Sequence, residues 1–171
     1  MKNKITASLS SNYQLEAIIF VLLFTYLIIR ALSVFYIHDE LVTKYAYMLN
    51  WNPVPYTGYF DANNHFLNSF FGGLFIRLFQ NESMWIVRLP SLLAFPIYFW
   101  SLVSFKKQFK FLSNYWLFLC LLLFSVFILD FFSLSRGYAL AWSFLFTSIS
   151  FTRTYFENKS TRSLLFAILC W

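Results

Sequence analysis

Four blocks of nearly unbroken apolar residues, 15–37, 85–105, 111–132 and 138–156, run through the 171-residue chain and restrict what it can become. A helix rises about 1.5 Å per residue, so roughly 20 residues cross the ~30 Å hydrocarbon core of a bilayer. Each block reaches or approaches that length, longer than the short apolar runs that build a globular core. A fifth apolar stretch opens at Ser163 and has run for nine residues when the sequence stops at Trp171. The expectation is an all-α integral membrane protein, a multi-span helical bundle covering the N-terminal portion of a longer chain.

Composition removes the main rivals. With 60% hydrophobic and only 12% charged residues, too little charge is present to clothe a soluble domain of this size. The net charge of +6 does not point to nucleic acid, because the basic residues form no stripe interleaved with aromatics. They gather instead in short breaks between apolar blocks, the pattern of membrane topology. Cys120 and Cys170 lie inside apolar blocks and have no metal-binding or disulfide spacing. The first block exceeds the roughly 7–15 apolar residues of a signal peptide and no small-x-small cleavage motif follows, so it reads as an uncleaved first span.

Residues 65–80 are the ambiguous piece. Phe66, Leu67, Phe70, Phe71, Leu74, Phe75, Leu78 and Phe79 repeat at helical spacing, opposite His65, Asn68, Ser69, Gly72, Gly73 and Gln80. This is an amphipathic helix for the membrane interface rather than a span. The excess of Lys and Arg in cytoplasmic loops supports the same reading. If 65–80 does not cross, Lys2 and Lys4 share the inner side with Lys106, Lys107, Lys110, Arg153, Lys159 and Arg162. The expected order is therefore a cytoplasmic N-terminus, an external loop over 38–84 with interfacial helices, and three further spans in a plasma or inner membrane. "NPVPYTGY", with Pro53, Pro55 and Gly58, is expected to turn between two short helices of that loop.

The acids are few, so their positions matter. Seven carboxylates occur, and Asp39 and Glu40 adjoin at the outer end of the first span. Asp39 can be the N-cap of a helix over 40–49, with Glu40 complementing its dipole. Leu41, Val42, Tyr45, Met48 and Leu49 would then rest on the membrane. Equally, Asp39 can be a carboxylate at the mouth of a membrane cavity, taking a proton or holding a divalent metal. Asp130 ends the third block, and it either pairs at the interface or faces the same cavity together with Arg136. Arg30, Lys44, Arg77, Arg88 and Arg136 stand on or near the outer side, where the topological bias does not favour them. They either snorkel or bind an anion such as a phosphate. His65 alone is a weak signal. "NES" and "NKS" fit the glycosylation triplet by pattern only.

The order of short motifs resembles the GT-C superfamily of polyprenyl-phosphate-sugar glycosyltransferases, in particular its protein O-mannosyltransferase and lipid A aminoarabinose transferase branch. "HDELVTKYA" is similar to the family's first-loop motif, which implies Asp39 as the catalytic carboxylate with Glu40 beside it. "FDANNHFLNSFF" is similar to a segment that usually reads His-Pro-Pro, implying His65 in the site wall; Phe66 and Leu67 stand where the prolines would be. "VRLPSLLAF" matches at Arg88, Leu89, Pro90 and Ser91. "SLSRGYAL" matches at Ser135, Arg136 and Tyr138, with Gly137 where an acid often follows.

The resemblance implies a membrane glycosyltransferase moving a sugar from a polyprenyl-phosphate donor to an acceptor hydroxyl on a lipid, protein or glycan. Asp39 would be the general base, with Arg88, Arg136, Lys44 and Arg77 on the donor phosphate and His65, Asp130 and Tyr138 lining the site. A divalent metal at Asp39 remains an option, and 1–171 alone would be inactive. The alternative is a non-catalytic transporter segment or scaffold subunit, although transporters place polar groups near the bilayer midplane. Here they cluster at the outer edge.

Overall fold

The computed structural model describes residues 2–54 and 65–171, with side chains from Tyr13 onward. Most of "NPVPYTGY" and the segment "FDANN" lie outside the described residues. All regular elements among those described are helical: α1 (Lys2–Ser33), α2 (His38–Val42) running into a π-helical stretch (Thr43–Leu49), α3 (Phe66–Phe79) and α4 (Met84–Ser104). A 3₁₀ turn (Phe105–Gln108) leads on to α5 (Leu112–Leu123), α6 (Val126–Ser133), α7 (Tyr138–Asn158) and α8 (Thr161–Cys170).

Two of these helices are long and apolar enough to cross a membrane, Tyr13–Ser33 and Met84–Gln108. They pack through aromatic rings: Phe20 stacks on Phe24 and Phe95, and Phe99 meets Phe20 edge-on at 5.2 Å. Leu27 and Ala31 of α1 are sealed in the same core, while Ile18, Leu22 and Ile29 point outward, as a lipid-facing surface requires.

The third block departs from expectation. Rather than one span over 111–132, α5 and α6 form a pair bent by 54° at Phe124 and Ser125, so the protein has three spans only if the bent pair counts as one. No proline or glycine marks the bend. Ser125 adopts an extended conformation, which leaves the Leu122 carbonyl without its usual helical donor. The Tyr98 hydroxyl of α4 fills that vacancy at 3.2 Å, and Tyr98 is fully buried. An apolar environment makes such a substitute donor a requirement. The bend also brings Phe132 onto Phe95 and Tyr98, at 5.3 and 4.9 Å.

The fourth block, 138–156, forms a helix of 21 residues but is not apolar enough to count as a membrane span. Its hydroxyls face inward. Ser143 donates to the Ala94 carbonyl, Thr147 pairs with Ser101 at 2.8 Å, Ser150 pairs with Ser104 at 2.6 Å, and Ser148 donates to Ala167 of α8. Small polar residues let α4 and α7 approach closely while satisfying one another.

α3 is amphipathic as expected, but apart from the exposed Arg77 its polar and small residues pack on protein. Asn68, Ser69, Gly72, Gly73 and Ile76 are buried against the protein, and Phe66, Leu67, Leu78 and Phe79 are exposed. A side chain at Gly73 would press on Trp51 and the Met48 carbonyl at 3.0 Å, so the glycine permits the contact between α3 and the π-helical stretch. Met48, expected on the membrane, is fully buried there, while Leu41 and Tyr45 do stay exposed.

Replacing Tyr98 with Phe keeps the ring packing and removes only the donor to Leu122. The bundle should lose about 1–3 kcal/mol in detergent unfolding; an unchanged midpoint would mean the bend does not need this hydroxyl.

Candidate functional site

Arg88 and Glu40 form the centre of one end of the bundle. Both side chains are 0% exposed. The Arg88 Nε donates to Glu40 Oε1 at 2.9 Å and an Nη donates to Oε2 at 2.6 Å, a two-pronged pairing that fits a planar guanidinium. The remaining N–H groups go to the carbonyls of Ala31, Val34 and Phe35, where α1 ends. Arg88 therefore has no donor to spare for a phosphate, the role expected of it.

Glu40 is equally committed. It accepts the Ile37 backbone N–H at 3.3 Å and the Ser135 backbone N–H at 2.6 Å. α2 thus begins two residues earlier than expected: Ile37 is the N-cap and Asp39 lies in the first turn. Asp39 is not the cap because Glu40, reaching back to the Ile37 N–H, takes that function.

Freed from capping, Asp39 faces Arg136 across the gap between α2 and the turn before α7. The two form an ion pair in which both side chains stay about one-third exposed, at 31% and 35%. His65 lies beside them, its ring meeting Tyr138 at 4.7 Å, and Phe131 backs Tyr138 at 4.8 Å. Gly137 has φ +72°, and any Cβ there would run into the His65 side chain, so the position favours glycine for both backbone and steric reasons. Asn68 of α3 fastens the arrangement by donating to Ser135 Oγ at 2.9 Å. Burial, and after it the Arg136 guanidinium, hold His65 below its ordinary imidazole value, with Asp39 acting against both.

The other expected residues are placed apart from this cluster. Asp130 pairs with Arg30 at 2.6 Å, not with Arg136. Lys44 donates to the Glu82 carbonyl at 2.9 Å and lies over the Tyr36 ring. Burial pushes the Tyr36 hydroxyl up to about 12, against the pull of Arg88, so it stays neutral. Arg77 caps the π-helical stretch through the Met48 and Leu49 carbonyls and stacks on Trp51 at 4.4 Å. Among the described residues no three or more His, Cys, Asp or Glu side chains come together as a metal site, and the His38 Nδ1 lies 3.8 Å from Asp39. That donor set does not fit a divalent metal.

One turn from His65 and Tyr138 an apolar crevice opens between α3, α7 and α8. Leu67, Phe71, Ala141, Phe144, Leu145 and Trp171 line about 560 Å³ of it. A smaller space of about 190 Å³ shares Phe71 and Phe144 and continues toward Pro90 and Ile97 of α4. Comparison with known proteins adds no relative: no family model, no curated protein and no solved structure matches the chain.

Sequence reasoning overlooked Glu16. It is buried in α1 at the opposite end, held by Lys106 at 3.0 Å and the Tyr115 hydroxyl at 2.7 Å. A carboxylate within an apolar block is the signal that could have flagged it.

Two outcomes test this geometry. Arg88→Leu leaves Glu40 charged and unpaired in a sealed site, so about 3–5 kcal/mol of stability should go; in the double variant Arg88→Leu, Glu40→Leu much of that loss should return. Because His65 has a folded value below 6.5, the unfolded chain binds the proton more readily. Stability should therefore fall as pH drops below about 6.5, and His65→Gln should flatten that slope in detergent unfolding between pH 7.5 and 5.

Proposed function

We propose that this end of the bundle transfers a sugar from a polyprenyl-phosphate donor to an acceptor hydroxyl, on the outer face of the membrane. The observation that carries the reading is the half-exposed Asp39–Arg136 pair, bordered by His65 and Tyr138, with an apolar crevice beginning one turn away. An isoprenoid chain needs an apolar track open to lipid, and its phosphate needs a cation where that track meets water. Both lie together here.

Asp39 accepts the proton of the acceptor hydroxyl as its oxygen attacks the anomeric carbon. The bond from that carbon to the phosphate oxygen breaks, and the electron pair leaves with the polyprenyl phosphate. Arg136 stabilises the negative charge that grows on the phosphate. The two roles are linked: a phosphate that draws Arg136 toward itself frees the Asp39 carboxylate for the proton. Glu40 and Arg88 are positioning residues, since neither has a free polar atom for substrate. Lys44 and Arg77 are taken up by Glu82 and by backbone carbonyls, which leaves Arg136 as the phosphate ligand.

A non-catalytic scaffold is the second reading, favoured by one observation: Asp39 and Arg136 neutralise each other and so tie α2 to the turn before α7. Asp39→Asn separates the two. Because 1–171 alone is expected to be inactive, the test uses a longer chain that contains these residues: in membranes supplied with polyprenyl-phosphate sugars, loss of the base should lower transfer by about 10²–10⁴-fold with the folded protein retained. Unchanged transfer would remove Asp39 from catalysis, and loss of folded protein instead of activity would favour the scaffold.

A further inference from the structure

The two ends of the bundle balance charge differently. Around Asp39, Arg30 pairs with Asp130, Lys44 with Glu82, Arg88 with Glu40 and Arg136 with Asp39, and Arg77, without a carboxylate, is taken up by backbone carbonyls. At the far end, among the residues whose side chains are described, six cations stand against two carboxylates. Lys106 is held by Glu16 and Arg153 by Glu157, at 3.0 and 3.4 Å. Lys107, Lys110, Lys159 and Arg162 have no carboxylate within ion-pair distance among the described residues.

These four belong to one surface. The turn between α4 and α5 is fastened to the end of α7 by Gln108 donating to Glu157 at 2.9 Å and Arg153 donating to the Ser104 carbonyl at 2.7 Å. Two of the cations also rest on aromatic rings: Lys110 over Phe111 at 5.5 Å, and Lys159 over Phe156 at 5.3 Å. Phe111 and Phe156 are themselves exposed, at 58% and 66%. An exposed ring beside a cation suits the boundary between acyl chains and headgroups, where the ring stays in lipid and the charge reaches the phosphate layer.

From this asymmetry we propose that the end formed by Lys107, Lys110, Lys159 and Arg162 binds the phosphodiester headgroups of anionic phospholipids. A leaflet carrying such lipids attracts each nearby Lys or Arg, and the attraction fades within a Debye length. The aromatic footing favours a lipid surface over an acidic soluble partner, which would have to meet these cations in water. The inference rests on charge placement and its aromatic footing and is independent of the transferase reading.

The whole chain, reconstituted in nanodiscs of equal phosphatidylglycerol and phosphatidylcholine, tests it with spin-labelled versions of each lipid. Phosphatidylglycerol should be enriched severalfold in the lipid shell at low salt. That excess should vanish near 1 M NaCl, where the Debye length is about 3 Å. The K107Q/K110Q/K159Q/R162Q variant should lose the excess, and K107R/K110R/K159R should keep it. A photo-crosslinking phosphatidylglycerol on the unaltered protein should label 105–112 and 155–163, a readout that stands even if the quadruple variant fails to fold. No enrichment, enrichment that survives the four substitutions, or crosslinks confined to 36–50 and 77–85 would each overturn the proposal.

Discussion

The Glu40–Arg88 pair is the constraint on which the rest of this end depends. Removing two charges from water is costly, and a buried ion pair rarely stabilises a fold beyond what well-packed apolar residues would achieve. What the pair supplies is a fixed arrangement. One guanidinium gathers the last carbonyls of α1, and one carboxylate holds the start of α2 and the backbone ahead of Arg136. Asp39 is the neighbour of Glu40 in sequence, and Arg136 is the neighbour of Ser135. The half-exposed pair is thereby placed from both sides by a carboxylate that never meets solvent.

The same logic governs the helices below it. Ser101, Ser104, Ser143, Thr147 and Ser150 turn α4 and α7 toward each other through hydroxyls, leaving the apolar faces outward. α3 repeats the inversion, with asparagine, serine and glycine packed on protein and phenylalanine outside. A soluble protein would reverse both. In a bilayer, polar contacts are scarce resources best kept between helices, and apolar surface costs nothing facing lipid.

Much of this was legible in the chain and some was not, for physical reasons. The blocks containing α1 and α4 announced themselves because length and apolarity are local properties. The helical repeat of α3 was equally plain, but which face meets protein depends on Met48 and Trp51, which lie outside its own sequence. The bend after Phe124 left no mark, since its substitute donor, Tyr98, sits on another helix. Asp39 looked like a cap by residue type, yet Ile37 holds that position once Glu40 is fixed by Arg88. Arg88 resembled a spare cation because its partner lies 48 residues away, and the Glu16 contacts span 90 and 99. A shared cavity for Asp39 and Arg136 was one option that the topology left open, while no spacing in the chain could bring His65 and Tyr138 to them.

The reach of the Glu40 carboxylate bears on biogenesis. Its guanidinium partner is synthesised 48 residues after it, and the backbone amide it also accepts comes 95 residues after it. Until α4 arrives, the nascent loop carries an unmatched acid at the bilayer edge. Until the turn following α6 arrives, Arg136 has not been made and Asp39 lacks its counter-charge. The Glu40–Arg88 contact can thus close before the Asp39–Arg136 pair, while the link from Glu40 to Ser135 arrives together with that pair.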